Sequence, residues 1–341
     1  MDPDDSTIPL DNTISETVEY QGRAYQQYAL SNGTYFAPID EVIKALTNFQ
    51  QPTLINSPIQ GEIARLELAN RVFHRVFDNR LIFPPVASPR NILDLGCGGG
   101  DWAVQVSEQY PDASVLGIDI SPHMLPEDAP DNLELQIDDL NGRYDVPIPR
   151  DMEQAEWSFF GARFTFRSDR YDVVHSQMVA GGIHANRWRS YIRDIFRVLR
   201  PGGWCQMVEI YFNAQSDNGT LTRAGEDHAL SRWSSHYLQA MHPYKDPRAP
   251  LQLASWMRSA GFRDVESRLL TLPMYARDRI IGEENNGNIH ELLYSIALYP
   301  LTHFKGMPLK DFEELVDDAR TEASDPSFKV CVHRPKASSV K

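Results

Sequence analysis

The segment NILDLGCGGGDWAVQVSEQYPDASVLGIDIS, residues 91–121, sets acids and glycines at spacings that suit a nucleotide cofactor. Two parses fit. Gly98-Gly99-Gly100-Asp101-Trp102-Ala103 matches the G-x-G-x-x-[GA] dinucleotide fingerprint, and Asp119 follows 21 residues after Gly98, where that motif places its ribose-binding acid. Asp94-Leu95-Gly96-Cys97-Gly98-Gly99-Gly100 instead reads as D-x-G-x-G-x-G. A pyrophosphate received on backbone N–H groups would meet the Asp94 carboxylate with charge of its own sign. S-adenosylmethionine carries a sulfonium and an ammonium and no phosphate, so Asp94 complements it, while the glycines let the backbone turn and pass close. Asp119 accepts ribose hydroxyls under either parse. The next apolar run ends in Gln136-Ile137-Asp138-Asp139, placing further acids where an adenine amino group would donate. Acids at three successive strand ends suit a cationic nucleoside, although the same residue types also cap helices and turns.

Methyl transfer from such a cofactor is an in-line displacement at an activated carbon, so the protein mainly positions the acceptor and excludes water. No nucleophilic side chain is required, and a base matters only for an acceptor that must lose a proton. Candidates for that base are His175 and His184 after the fourth strand, Glu209 after the fifth, and His228, His236 and His242 further on. For each histidine a packing or polar role competes with catalysis.

These residues need a scaffold that brings strand ends to one rim. NILDLG, SVLGIDI, LELQID, YDVVHS and WCQMVEI alternate with longer, partly helical segments, the pattern of a parallel sheet built from βαβ units. Trp188, Tyr191, Ile192, Ile195, Phe196 and Leu199 stripe a helix that Pro201-Gly202-Gly203 stops. Upstream, Ile63, Leu66, Ala69, Val72, Phe73, Val76 and Phe77 recur by threes and fours as one helix face. Downstream, LASWMRSAGF and KDFEELVDDARTEAS read as helices, and FRDVESRLLTLPM and SFKVCVHRP as strands, for seven strands in all.

The expected division is a disordered tail (1–14), an N-terminal arm and helix (15–85), the cofactor-binding core (86–212), a helical cap insertion (213–255), the rest of the core sheet (256–336) and a tail (337–341). Tyr35 of the arm, with Trp233, Tyr237, Tyr244 and Trp256, could wall an acceptor pocket or form plain core.

A net charge of −14, from 47 acids against 33 bases, argues against a nucleic-acid partner. Cys97, Cys205 and Cys331 lack any metal-ligand spacing, so no metal is expected and reduced, intracellular thiols are. The opening MDPDDSTIPLDNT is unlike a secretory signal, and no apolar run approaches the roughly 18 residues that span a bilayer, so no membrane partner is expected.

LDLGCGGGDWA, VLGIDISP, PDNLELQIDDL, YDVVHSQMVAGGI and VLRPGGWCQMVE resemble the class I S-adenosylmethionine-dependent methyltransferases, and within them the fungal LaeA-like group. ETVEYQGRAY, YFAPIDE, EIARLELANRVFHRVF and KVCVHRPK extend the likeness over most of residues 16–336. The resemblance implies a seven-stranded Rossmann-like α/β sheet with helices on both faces, plus the arm and the cap. It implies cofactor positions at Asp94, Gly96, Gly98, Gly100, Asp119, Asp138 and Asp139, with Trp102 beneath the loop and His175 near the fourth strand's end. Gly99 stands where the group usually has Thr, and Gln206 where it usually has Glu, while Glu209 retains the second acid. The implied activity is methylation of a small-molecule acceptor, O-methylation by default, in a secondary-metabolite pathway and in the cytoplasm. The alternative is a nuclear regulator of secondary metabolism whose methyl transfer is protein-directed or vestigial.

Overall fold

The computed structural model describes residues 12–40, 61–126, 128–142, 164–222, 227–275 and 281–341. A hairpin of β1 (Thr17–Tyr20) and β2 (Arg23–Gln26) turns on Gln21-Gly22, both at positive φ, the backbone that a two-residue hairpin turn requires. The short α1 (Gln27–Ser31) follows, and then α2 (Glu62–Val76), which buries Leu68, Ala69, Val72 and Phe73 along one stripe.

The core alternates strands and helices: β3 (Asn91–Leu95), α3 (Asp101–Gln109), β4 (Ser114–Asp119), β5 (Leu133–Ile137), β6 (Tyr171–Gln177), α4 (Trp188–Val198) and β7 (Leu199–Val208). These five strands lie parallel in the order β5-β4-β3-β6-β7. Their side chains alternate between two cores, because successive strand residues face opposite ways. Ile92, Val115 and Val173 meet Trp102, Ala103 and Val106 of α3 on one face. Leu93, Leu95, Ile118 and Val174 meet Tyr191, Ile192 and Ile195 of α4 on the other.

Next come β8 (Tyr211–Ser216), α5 (Ala229–Met241), α6 (Ala249–Ala260), β9 (Arg263–Pro273), α7 (Ile281–Ser295), α8 (Leu309–Ser324) and β10 (Val330–Val340). β10 runs antiparallel to β7 at residues 336–340 and to β8 at 330–333, and along its whole length to β9. A strand has two hydrogen-bonding edges, so β7 and β8 share one edge of β10 and β9 holds the other. Eight strand segments thus fill seven positions, and the fold is a Rossmann-like α/β sheet with both faces covered by helices.

Three boundaries differ from the sequence reading. Residues 213–216 continue the sheet as β8, and the expected cap then carries a 3-10 turn at Thr220–Thr222 before α5. Residues 337–340 are strand, held by pairing on both edges, where a tail was expected. Of the expected N-terminal tail, Asn12–Ser15 form a 3-10 turn and residues 1–11 lie outside the described residues. α7 and a π-helical turn at Pro300–Phe304 carried no sequence expectation. α7, α8 and α5 pack with α2 into a third core that includes Trp233, Leu292, Leu293 and Phe312.

Candidate active site

The glycine-rich loop leaves β3 with Gly96, Gly98 and Gly100 all at positive φ (75°, 55° and 77°), and Gly100 caps α3. A side chain at Gly96 would place its Cβ 2.6 Å from Val179 Cγ1, so only glycine lets the loop pass the segment after β6. The N–H groups of Gly96 and Cys97 donate to the Ile118 carbonyl at 2.8 and 2.9 Å, and that of Gly98 donates to Asp119 Oδ2 at 2.9 Å. The other oxygen of Asp119 accepts from the Ser121 N–H at 3.0 Å. Two main-chain donors therefore fix the carboxylate at the end of β4, with lone pairs left toward the cavity beside it.

That cavity encloses about 750 Å³ of empty space, part of it open to solvent. Gly96, Gly98, Asp119, Asp138 and Asp139 line it, so the structure brings five of the seven expected cofactor residues to one wall. Asp139 is fixed in turn: its Oδ1 accepts from the Asn141 N–H and side-chain amide at 2.9 and 2.8 Å, and its Oδ2 from the Thr34 hydroxyl at 3.4 Å. Asp94 and Gly100 do not line the cavity. Asp94 is 2% exposed at the end of β3, and burial, with the Asp119 charge second, holds its carboxyl well above the usual carboxylate range. Burial raises Asp119 as well, against the lowering effect of its N–H donors. Among the described residues no lysine or arginine lines the cavity. Two carboxylates short of positive charge, beside a loop that only glycine can form, fit a cationic nucleoside and not a pyrophosphate.

The candidate bases lie elsewhere. His175 is 1% exposed and stacks on Trp102, ring centroids 3.9 Å apart, on the α3 face of the sheet. Its Nδ1 takes the Gln206 amide at 2.9 Å, and burial pulls its pKa down to about 3. Gln206 also donates to the Leu81 carbonyl and accepts the Phe83 N–H, so this residue ties the segment before β3 to the sheet. Glu209, 1% exposed, accepts the N–H groups of Val179 and Ala180 on its two oxygens at 2.9 and 3.2 Å. It anchors a cavity-lining loop, and burial pushes its pKa up to about 8. His228 precedes α5 and meets Glu322 and Phe328 of the α8 side. His236 lies by Lys305, His242 is exposed, and half-buried His184 packs by the loop at Asn32 and Gly33.

The expected aromatic walls divide similarly. Tyr35 lines the cavity. Trp233 stacks on Tyr237 within the third core, Trp256 stacks on Trp188, and Tyr244 stacks on Phe304. Residues that the sequence reading missed include Thr34, Ile39, Leu66, Asn141, Gln177, Met178 and Val179. Only Asn141 left a local signal, a side-chain amide two residues past the acids of a strand end. Among the described residues no group of three or more His, Cys, Asp or Glu could hold a metal, and no helix is long and apolar enough to cross a membrane.

Residues 68–267 match the family model described as a methyltransferase domain. The chain is 31% identical over 316 residues to the secondary metabolism regulator laeA of Monascus pilosus, covering 89% of this chain and 72% of that protein. It is 28% identical over 333 residues to the protein-methionine methyltransferase laeA of Emericella nidulans, covering 93% and 75%. A solved phosphoethanolamine N-methyltransferase 2 of Haemonchus contortus in complex with S-adenosyl-L-methionine is 18% identical, covers 84% of this chain and 53% of that one, and superposes with a TM-score of 0.42, too distant to carry substrate or mechanism. The chain belongs to the methyltransferase-domain family and, within it, to the fungal LaeA-like S-adenosylmethionine-dependent methyltransferases.

Proposed function

We propose that this methyltransferase is a LaeA-type regulator of secondary metabolism whose methyl acceptor is a protein, with a methionine thioether as the receiving group. Action in the nucleus is part of this reading. The relatives' names support it, one being a secondary metabolism regulator and another a protein-methionine methyltransferase.

The observation that carries it is chemical. The described cavity residues contributed by the arm, α2 and the end of β6 are Thr34, Tyr35, Ile39, Leu66, Gln177 and Met178, none of them a base at neutral pH. Its surroundings, burial foremost, raise the Tyr35 phenol above its ordinary value, so it stays protonated. The His175 ring is stacked on Trp102 on the α3 face of the sheet, and Glu209 is committed to two N–H groups. An alcohol or phenol must shed a proton on methylation, whereas a thioether sulfur has none to lose. S-adenosylmethionine, when bound, supplies a methyl carbon already activated by its sulfonium. A thioether would need only its lone pair to receive that methyl group, so the positive charge would pass to the acceptor with no proton to remove. The chain's own part is to orient ribose and adenine through Asp119 and Asp139, to seal the site with apolar side chains, and to leave the acceptor undeprotonated.

Purified protein, methyl-labelled S-adenosylmethionine and a fungal extract split into protein and small-molecule fractions test this. Label should enter protein, with peptide mass spectrometry placing one methyl group on a methionine. Label confined to a small organic product would return the reading to a biosynthetic O-methyltransferase.

A further inference from the structure

Lys245 stands in the connection between α5 and α6 and is 2% exposed, although among the described residues no carboxylate is in hydrogen-bonding contact with its ammonium. Its Nζ donates to two main-chain carbonyls, Thr34 at 2.6 Å and Gly182 at 3.0 Å. Both residues line the cofactor cavity, one on the N-terminal arm and the other on the loop after β6. The Gly182 carbonyl also takes the Asn141 amide at 3.0 Å, and Asn141 holds Asp139. The cap grips the same loop once more, where Ala185 N–H donates to the Tyr244 carbonyl at 3.1 Å. Arm, cap and two cavity loops therefore converge on one amine.

We propose that Lys245 is a positioning residue for cofactor binding, fastening the arm and the loop after β6 over the cavity from the cap. This rests on the cavity being the cofactor site. Thr34 reaches Asp139 with its hydroxyl while Lys245 holds its carbonyl, so the arm's seat and the acid at the end of β5 are set together.

A pH dependence follows. Among the described residues the charged or titratable groups facing the amine are Asp139 past β5, which favours the ammonium, and His184 past β6, whose own pKa is lowered by burial and next by Lys245. The Phe36 ring of the arm lies 5.6 Å from Nζ, and Asp246, next in the chain, is turned to the Arg248 N–H. Burial outweighs Asp139 and brings the Lys245 pKa down to about 7. A neutral amine has two N–H donors, matching the two carbonyls. Because the fastened state lowers the pKa below that of a solvated lysine, fastening strengthens as pH rises above about 7 and is weakest below it.

Calorimetry with S-adenosylhomocysteine on the full chain at pH 6.5 and 8.5 tests this, with hydrogen exchange over residues 33–39. Wild type should bind about threefold or more tighter at pH 8.5. Lys245→Met should bind at least about tenfold more weakly at pH 8.5, exchange faster over 33–39, and lose the wild-type pH slope. Lys245→Arg keeps donors but does not titrate, so its affinity should be flat across this range. Wild-type affinity in Lys245→Met, or a wild-type pH slope in either variant, overturns the proposal. Asp119→Ala separates the two readings: unchanged affinity there refutes the cavity as the cofactor site, whereas a loss there with a silent Lys245→Met refutes only the fastening.

Discussion

At the scale of single residues, His175 shows how position in a sheet decides chemistry. It is the register partner of Asp94 on the neighbouring strand, within two residues of cavity-lining Gln177, yet its ring lies flat on Trp102 and its Nδ1 is taken by Gln206. Its burial has a consequence for stability. A folded pKa near 3 lies below the ordinary 6.5, so the neutral ring's contribution is fully present above pH 6.5 and is lost as pH falls toward 3. His175→Phe keeps the stacking and cannot be protonated. Denaturant unfolding at pH 6.5 and 4.5 should show a shallower acid loss in the variant, the difference approaching about 1.4 kcal/mol per pH unit. Its affinity for S-adenosylhomocysteine should stay within about threefold, because the ring is not in the cavity. Parallel pH profiles would show that the imidazole is not buried neutral. Asp119's place at the cavity wall was legible from sequence because it depends on charge and spacing at a strand end, both local. The roles of His175 and Glu209 were not, because they depend on which face a strand residue takes and on where the chain turns back after it.

At the scale of elements, the glycine loop separates two demands that its sequence presents as one. Gly96 needs both a left-handed backbone and an absent Cβ, since Val179 stands 2.6 Å from where that carbon would be and is itself held by Glu209. Gly98 needs only the backbone, for nothing lies within 4 Å of its would-be Cβ. Alanine at Gly98 should cost about 1–2 kcal/mol of left-handed strain, and at Gly96 a further 1–3 kcal/mol of overpacking. Thermal unfolding of the two variants should therefore rank Gly98→Ala well above Gly96→Ala, with S-adenosylhomocysteine binding abolished in the second. Equal melting points would mean that the loop is not wedged against the segment after β6. Elements with strong periodicity, such as α4 and α8, were readable in advance. α7 was not: IGEENNGNIHELLYS carries poor helix formers, and the helix exists because Ile289, Leu292 and Leu293 are buried in the third core. Its Asn288 completes the buried Glu62–Arg65 pair of α2 by accepting from Arg65 at 3.2 Å, a contact between residues 223 apart that no local pattern encodes.

At the scale of the molecule, β10 is where distant parts of the chain are joined. It lies between β7 and β8 on one edge and β9 on the other, so the parallel half of the sheet and the strand after α6 meet through it. Residues 337–341 look dispensable in sequence, being small, polar and basic. In the fold, Ala337, Ser338, Ser339 and Val340 pair with Met207, Gln206, Cys205 and Trp204, and Ser338 and Ser339 are buried. Lys341 donates its N–H to the Gly203 carbonyl at 2.9 Å and its Nζ to the Leu199 carbonyl at 2.8 Å. Removing residues 337–341 would strip β7 of four of its five antiparallel pairs with β10 and leave buried N–H and carbonyl groups without bonds. At about 1 kcal/mol for each lost bond the cost is on the order of 3–5 kcal/mol, a fall of roughly 4–7 °C in melting temperature for a chain of this length. Cys205 offers a local readout, since it is 0% exposed opposite Ser339 and burial raises its thiol pKa, which keeps it unreactive in the intact protein. The truncated chain should therefore react quickly with a thiol reagent at Cys205 under conditions where the full chain does not. A truncated protein with an unchanged melting temperature and a protected Cys205 would mean that these residues are a tail after all and that β7 closes against another partner. The same experiment bears on the candidate cofactor cavity, because the Val208 carbonyl of β7 accepts the N–H of cavity-lining Met178 at 2.8 Å, so loosening β7 should also weaken S-adenosylhomocysteine binding.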